Sequence, residues 1–64
     1  MIYQECKNER YTLEIYRTEL EHIIKFFDGD KEVIYLNFTK PTAITDACVN
    51  ELVKVINNGV YEYN

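Results

Sequence analysis

Apolar and polar positions alternate along residues 11–17, with Tyr11, Leu13 and Ile15 on one side and Thr12, Glu14 and Tyr16 on the other. That period of two is the signature of a half-buried strand. Residues 2–6 read as a strand as well, and Lys7-Asn8-Glu9-Arg10 is a polar connection short enough for a hairpin. Residues 32–38 are the most strand-like of all. Val33-Ile34-Tyr35-Leu36 is apolar at every position, which predicts a strand covered on two sides, central in its sheet and parallel to a neighbour. Pro41 in the connection that follows disfavours a helical Lys40. Over residues 46–57 the period becomes helical. Cys48, Val49, Leu52, Val53, Val55 and Ile56 fall within an arc of roughly 160°, and Asn50, Glu51, Lys54 and Asn57 take the other side. Thr45 is the expected N-cap, Asp46 complements the helix dipole, and Asn58-Gly59 marks the end. Val60-Tyr61-Glu62-Tyr63 alternates once more and predicts a short last strand.

Residues 18–27 support two patterns. Thr18 and Glu21 fit a capping box, and Leu20, Ile23, Ile24 and Phe27 then recur at i, i+3, i+4 and i+7, with Gly29 at the expected helix end. The competing pattern is a strand turning through Asp28-Gly29 into a hairpin with residues 33–38, supported by the Ile-Ile and Phe-Phe pairs. The helix groups the apolar residues on one face, whereas the strand scatters them over two. The predicted fold class is therefore α/β, in the order β-β-α-β-α-β, with a small mixed sheet and two helices. The alternative is an α+β four-stranded antiparallel meander with one C-terminal helix.

Composition bounds the function. The 64 residues make a single small domain over 1–64, and a chain of that length buries only about 60% of its unfolded surface. Stability then comes from a staple, a partner or close packing. Cys6 and Cys48 have no metal-ligand spacing and His22 is the only histidine, so no metal and no cofactor are expected. Met1 leads into a polar, charged stretch without a signal-peptide pattern, and no apolar run approaches membrane-spanning length. Two free thiols in a reducing cytoplasm follow. Seven Lys plus Arg against eleven Asp plus Glu leave a net charge of −4, and the cations are dispersed. That argues against nucleic acid. His22 has no nucleophile paired with it by motif, so an enzyme is not expected. The glutamates read as ordinary surface charges. The six tyrosines suit a small half-buried sheet, and equally a protein interface.

Residues 33–52 resemble the STAS-like domains, the family of bacterial anti-sigma-factor antagonists, in a shortened version. In that family a central strand ends in an Asn/Asp-apolar-Ser/Thr stretch, and a loop and an apolar residue precede a serine-bearing helix start. Leu36-Asn37-Phe38-Thr39 and Ile44-Thr45-Asp46-Ala47 stand in those places, and Val49-Asn50-Glu51-Leu52 is similar to the helix start of a shorter branch. The resemblance implies a regulatory module that binds a larger protein, an anti-sigma-type ATPase or kinase. The family's phosphorylated serine is here Asp46, preceded by Thr45, so the resemblance implies a fixed acidic contact in place of a phosphorylation switch. The expected partner-binding residues are Thr45 and Asp46, with Thr39 and Thr42 of the adjoining loop, and Tyr61 and Tyr63. Two other expectations stand beside it. One is an obligate homo-oligomer or small subunit whose sheet edge completes a larger fold; the other is a phage or mobile-element inhibitor of a host protein.

Overall fold

Among the described residues, four strands in sequence form one antiparallel meander, and one helix closes one face of it. A computed structural model describes residues 2–39 and 43–58. The strands are β1 (Ile2–Lys7), β2 (Tyr11–Arg17), β3 (His22–Asp28) and β4 (Lys31–Phe38), and the helix is α1 (Ala43–Asn58). The sheet order is β1-β2-β3-β4, with each strand antiparallel to the next. This is the meander with one C-terminal helix. The two-helix β-β-α-β-α-β order does not form. The expected strand over residues 60–63 lies outside the described residues.

The correction turns on residues 18–27. Thr18 does act as a capping residue: its Oγ1 accepts from the backbone N–H of Glu21 at 3.1 Å and of Leu20 at 3.3 Å. But the backbone N–H of Thr18 also donates to the Glu21 carbonyl at 2.9 Å, which closes a tight turn between β2 and β3. The local hydrogen bond that would start a helix here reverses a hairpin. Leu20, first residue of the expected helical stripe, is 79% exposed at that turn. Beyond it the β-branched and aromatic run pairs on both sides, Ile24 opposite Ile15 and Leu36, Phe26 opposite Leu13 and Ile34.

Gly29 then makes the β3–β4 turn. Its φ of 62° puts positive φ at the first of the two connecting residues, the place glycine takes in a II′ hairpin turn. Its N–H donates to the Arg10 carbonyl at 2.8 Å. A helix with Gly29 as its terminator and a hairpin turning on Gly29 use the same conformational freedom, so the glycine alone does not distinguish them.

β4 is also placed differently from its expectation. Its unbroken apolar run predicts a central parallel strand, yet among the described residues β4 is an edge strand, antiparallel to β3. A bulge, at Val33, shifts the register between Phe26 and Phe27, so that Ile34 and Glu32 oppose them in turn. Ile34, Leu36 and Phe38 reach the core beneath α1 and remain half-buried.

The core is one layer between sheet and helix. Tyr11, Leu13 and Ile15 of β2 and Ile24 and Phe26 of β3 are buried against Val49, Leu52 and Ile56 of α1. The Tyr11 and Phe26 rings stack with centroids 5.4 Å apart. The helix presents the apolar arc read from its sequence, and Asn50, Glu51, Lys54 and Asn57 are all exposed. It begins earlier than expected, however. With Ala43 as its first residue, Thr45 lies within the first turn and is 1% exposed, so Thr45 is not the N-cap. Among the described residues no helix is long and apolar enough to cross a membrane.

One polar contact ties the sheet to the helix and a second ties two parts of the sheet together. Asn8 Oδ1 accepts from the backbone N–H groups of Arg10 and Tyr11 at 2.8 and 2.7 Å, and Asn8 Nδ2 donates to the Ile56 carbonyl at 2.7 Å. One side chain thus shapes the β1–β2 turn and caps a carbonyl left open at the end of α1. Beside it the Arg10 guanidinium grips Asp28 through Nε and a terminal nitrogen, at 2.9 and 3.0 Å, tying that turn to the end of β3.

Candidate protein-binding face

The helix covers one face of the sheet and leaves the other uncovered. Directly opposed residues in antiparallel strands share a face, so the pairing register lays out the open face as a grid of three rows. The first row runs Tyr3, Tyr16, Ile23, Asn37 from β1 to β4. The second runs Glu5, Glu14, Lys25, Tyr35, and the third Lys7, Thr12, Phe27, Glu32. Three tyrosines, an isoleucine and a phenylalanine therefore lie on the side the helix does not cover. Ile23 and Phe27 are the other half of the apolar pattern that β3 divides between its two faces.

The side chains on this face contact one another. The Tyr3 and Tyr16 rings are 4.9 Å apart and tilted by 51°. Lys25 extends its ammonium over two rings, 5.3 Å from the centroid of Tyr16 and 5.9 Å from that of Tyr35, both within cation–π range. Tyr16, Thr18, Glu21, Ile23, Lys25 and Tyr35 line a shallow depression of about 250 Å³. Its rim is braced where Asn37 Nδ2 donates to Glu21 Oε2 at 3.1 Å. Tyr3 and Tyr35 are 46% and 53% exposed, while Tyr16, Ile23, Lys25 and Phe27 are half-buried by their neighbours.

Each of the paired tyrosines donates to a carboxylate on its own strand, Tyr3 to Glu5 at 2.9 Å and Tyr16 to Glu14 at 3.0 Å. Ionising either phenol breaks that bond and sets two negative charges together. The hydrogen bond to Glu5 is the main reason that the Tyr3 phenol is pushed up to about 12, and the bond to Glu14 raises Tyr16 in the same way. The sign follows. A phenol raised in the folded state contributes stability in full below its unfolded value of 10.0, and that contribution is lost as pH rises toward 12. In a spectrophotometric titration of the phenolate band, Tyr3 and Tyr16 are expected to ionise after the unfolded chain's tyrosines. Glu5→Ala is expected to return Tyr3 toward the ordinary value.

Of the residues expected from the sequence to bind a partner, Thr39, Thr45 and Asp46 are described. Asp46 is exposed on α1, across the sheet from the tyrosines, and Thr45 beside it is buried. Thr39 is exposed just past β4. Thr42, Tyr61 and Tyr63 lie outside the described residues. His22, expected on a solvated helix surface, is on β3 facing the helix side, between Arg17 and Phe38. His22 Nδ1 and Arg17 Nε are buried and make no hydrogen bond with the described residues. Cys6 and Cys48 are half-buried free thiols on the core side, and burial pushes the Cys48 thiol up.

The residues of the open face were legible only in part. Alternation along β2 already separates Tyr16 from Leu13 and Ile15. Without β3 recognised as a strand, however, nothing sets Ile23 and Lys25 beside Tyr16. No protein-family model matches the chain, and no curated protein or solved structure gives a match.

Proposed function

We propose that this chain is a small protein-binding module, without catalysis of its own, that regulates or completes a larger protein through the uncovered face of its sheet. One observation carries the reading: Tyr3, Tyr16, Ile23, Phe27 and Tyr35 share a face that no element of the described chain covers. Tyrosine gives a large contact area with few rotors to immobilise and a hydroxyl that tolerates both water and an interface. The depression between Tyr16, Ile23 and Tyr35 has the shape to seat one anchoring side chain of a partner. Residues outside this face would then add complementarity more than affinity.

The test is capture of partners by the tagged chain, followed by titration of the purified complex. Tyr16→Ala and Tyr35→Ala are each expected to weaken it at least about 30-fold, the loss of an interface hot spot. Asp46→Arg is expected to leave it unchanged. The opposite result, binding lost with Asp46→Arg and kept with the tyrosine variants, would overturn the proposal. It would favour the contact at the helix start that the STAS-like resemblance implies.

A second reading has one observation in its favour. Residues 33–38 carry no charge and form an edge strand, and an uncharged edge is a template for another strand. Pairing of β4 with a second copy would make a homo-oligomer. A sedimentation mass that rises toward twice the monomer with concentration supports this; a constant monomer mass removes it.

A further inference from the structure

The register sets Glu5 and Glu14 directly opposite each other on the open face. Like charges at opposed positions destabilise a sheet, and the neighbouring cations offset this pair only on the Glu5 side. Lys25 is the residue opposite Glu14 on its other side, yet its ammonium lies over the rings of Tyr16 and Tyr35, and among the described residues Glu14 has no ion pair. Glu5 has only a long contact to exposed Lys7, at 3.5 Å. What the carboxylates do receive is the two phenol hydroxyls of Tyr3 and Tyr16, and those rings make an aromatic platform in the adjoining row. Two adjacent carboxylates beside an aromatic pair, Tyr3 exposed and Tyr16 half-buried, form a surface complementary to a planar cation.

Resting on the reading of the open face as a protein-binding surface, we propose that its Tyr3–Tyr16–Glu5–Glu14 quarter receives an arginine side chain of the partner. The guanidinium stacks on the tyrosine rings and bridges the two carboxylates. Arginine suits this place better than lysine. Its planar fork offers parallel donors to two acceptors and its flat face packs on a ring, whereas an ammonium is a point charge that gives up its hydration less readily. Lys25 already occupies the far side of Tyr16, so the open approach is over Tyr3 and the carboxylates. A metal ion is a poorer fit, because no group of three or more acidic, His or Cys ligands is gathered among the described residues.

The test is a nuclear magnetic resonance titration of the isotopically labelled chain with hexa-arginine and, separately, hexa-lysine. The expected result is shift changes centred on Tyr3, Glu5, Glu14 and Tyr16, with hexa-lysine binding several-fold more weakly. The double variant Glu5→Gln with Glu14→Gln is expected to lose about tenfold or more of the hexa-arginine affinity. Its thermal midpoint should be unchanged or higher, since glutamine keeps an acceptor for each phenol and removes the repulsion. Glu51→Gln, on the exposed side of α1, is expected to change nothing. Equal losses from Glu51→Gln, equal affinity for the two peptides, or a lower midpoint with unchanged affinity would each overturn the proposal. If Tyr35→Ala abolishes capture of the partner while the double glutamine variant retains it, the arginine site fails and the open-face reading stands.

Discussion

Replacing Phe26 with alanine is expected to destabilise the chain by about 3–5 kcal/mol, enough to unfold much of it at room temperature. Phe26 is 0% exposed, stacks on Tyr11 and lies between Leu13 and Ile34 at the centre of the sheet. The substitution removes most of the ring volume from a place where sheet and helix meet, and a single-layer core has little with which to refill it. A chain this short has a total stability of roughly 3–10 kcal/mol, so the loss is comparable with the whole. Urea unfolding followed by circular dichroism measures it. Phe27→Ala, one residue along and facing the open side, is expected to cost less than about 2 kcal/mol, because its ring is only half-buried. Leu20→Ala, at an exposed turn, should be nearly neutral. The order of the three effects distinguishes strand from helix. On the helical stripe of residues 20, 23, 24 and 27, Phe27 and Leu20 would be the costly positions.

Asn8→Ala is expected to cost about 2–3 kcal/mol, although Asn8 is a half-buried turn residue with no place in the core. Its side chain makes three hydrogen bonds at once, two within the β1–β2 turn and one to the Ile56 carbonyl near the end of α1. Each is worth about 1 kcal/mol net. Asn8→Asp separates the two tasks. It keeps the acceptor for the turn amides but sets a carboxylate against a carbonyl at the negative end of the helix dipole. The charged form is disfavoured in the fold, so the aspartate's pKa should rise on folding and its stability deficit should grow as pH increases through the carboxylate range. Urea midpoints of the two variants at acidic and neutral pH test this. A deficit for Asn8→Asp that shrinks with rising pH would show that the two turn amides, which favour the carboxylate, outweigh the helix end.

The hydrogen bonds of Asn8 also show why parts of this fold were not legible in the chain. Lys7-Asn8-Glu9-Arg10 reads correctly as a hairpin connection, because turn chemistry is local. That the same asparagine caps a helix end 48 residues away depends on how α1 crosses the sheet. The open face was obscured for a related reason. Tyr16 is already on the outer side of β2 by alternation, but its pairing with Tyr3 and its nearness to Lys25 and Tyr35 are consequences of register. Thr45 illustrates the reverse. As an N-cap it is an exposed recognition point; with α1 beginning at Ala43 it is buried in the first turn.

Strands β1, β2 and β4 as strands, and the helix over residues 46–57 with its apolar arc, follow from the chain alone; Thr18 and Gly29 stand out as chain-reversing residues but fit a helix's two ends as well as two turns. Their signals are short-range: alternation, a 3.6-residue period, a hydroxyl that caps an amide three residues on. The state of residues 18–27 does not, because one set of apolar positions fits a helix stripe and a strand with two apolar faces. Pairing decided it. With β2 on one side and β4 on the other, β3 satisfies its backbone along both edges and buries Ile24 and Phe26 between Leu13, Ile15, Ile34 and Leu36. Once β3 is a strand, Ile23 and Phe27 must point away from the core. The uncovered tyrosine face is thus a product of the tertiary structure, made from residues whose local pattern pointed elsewhere.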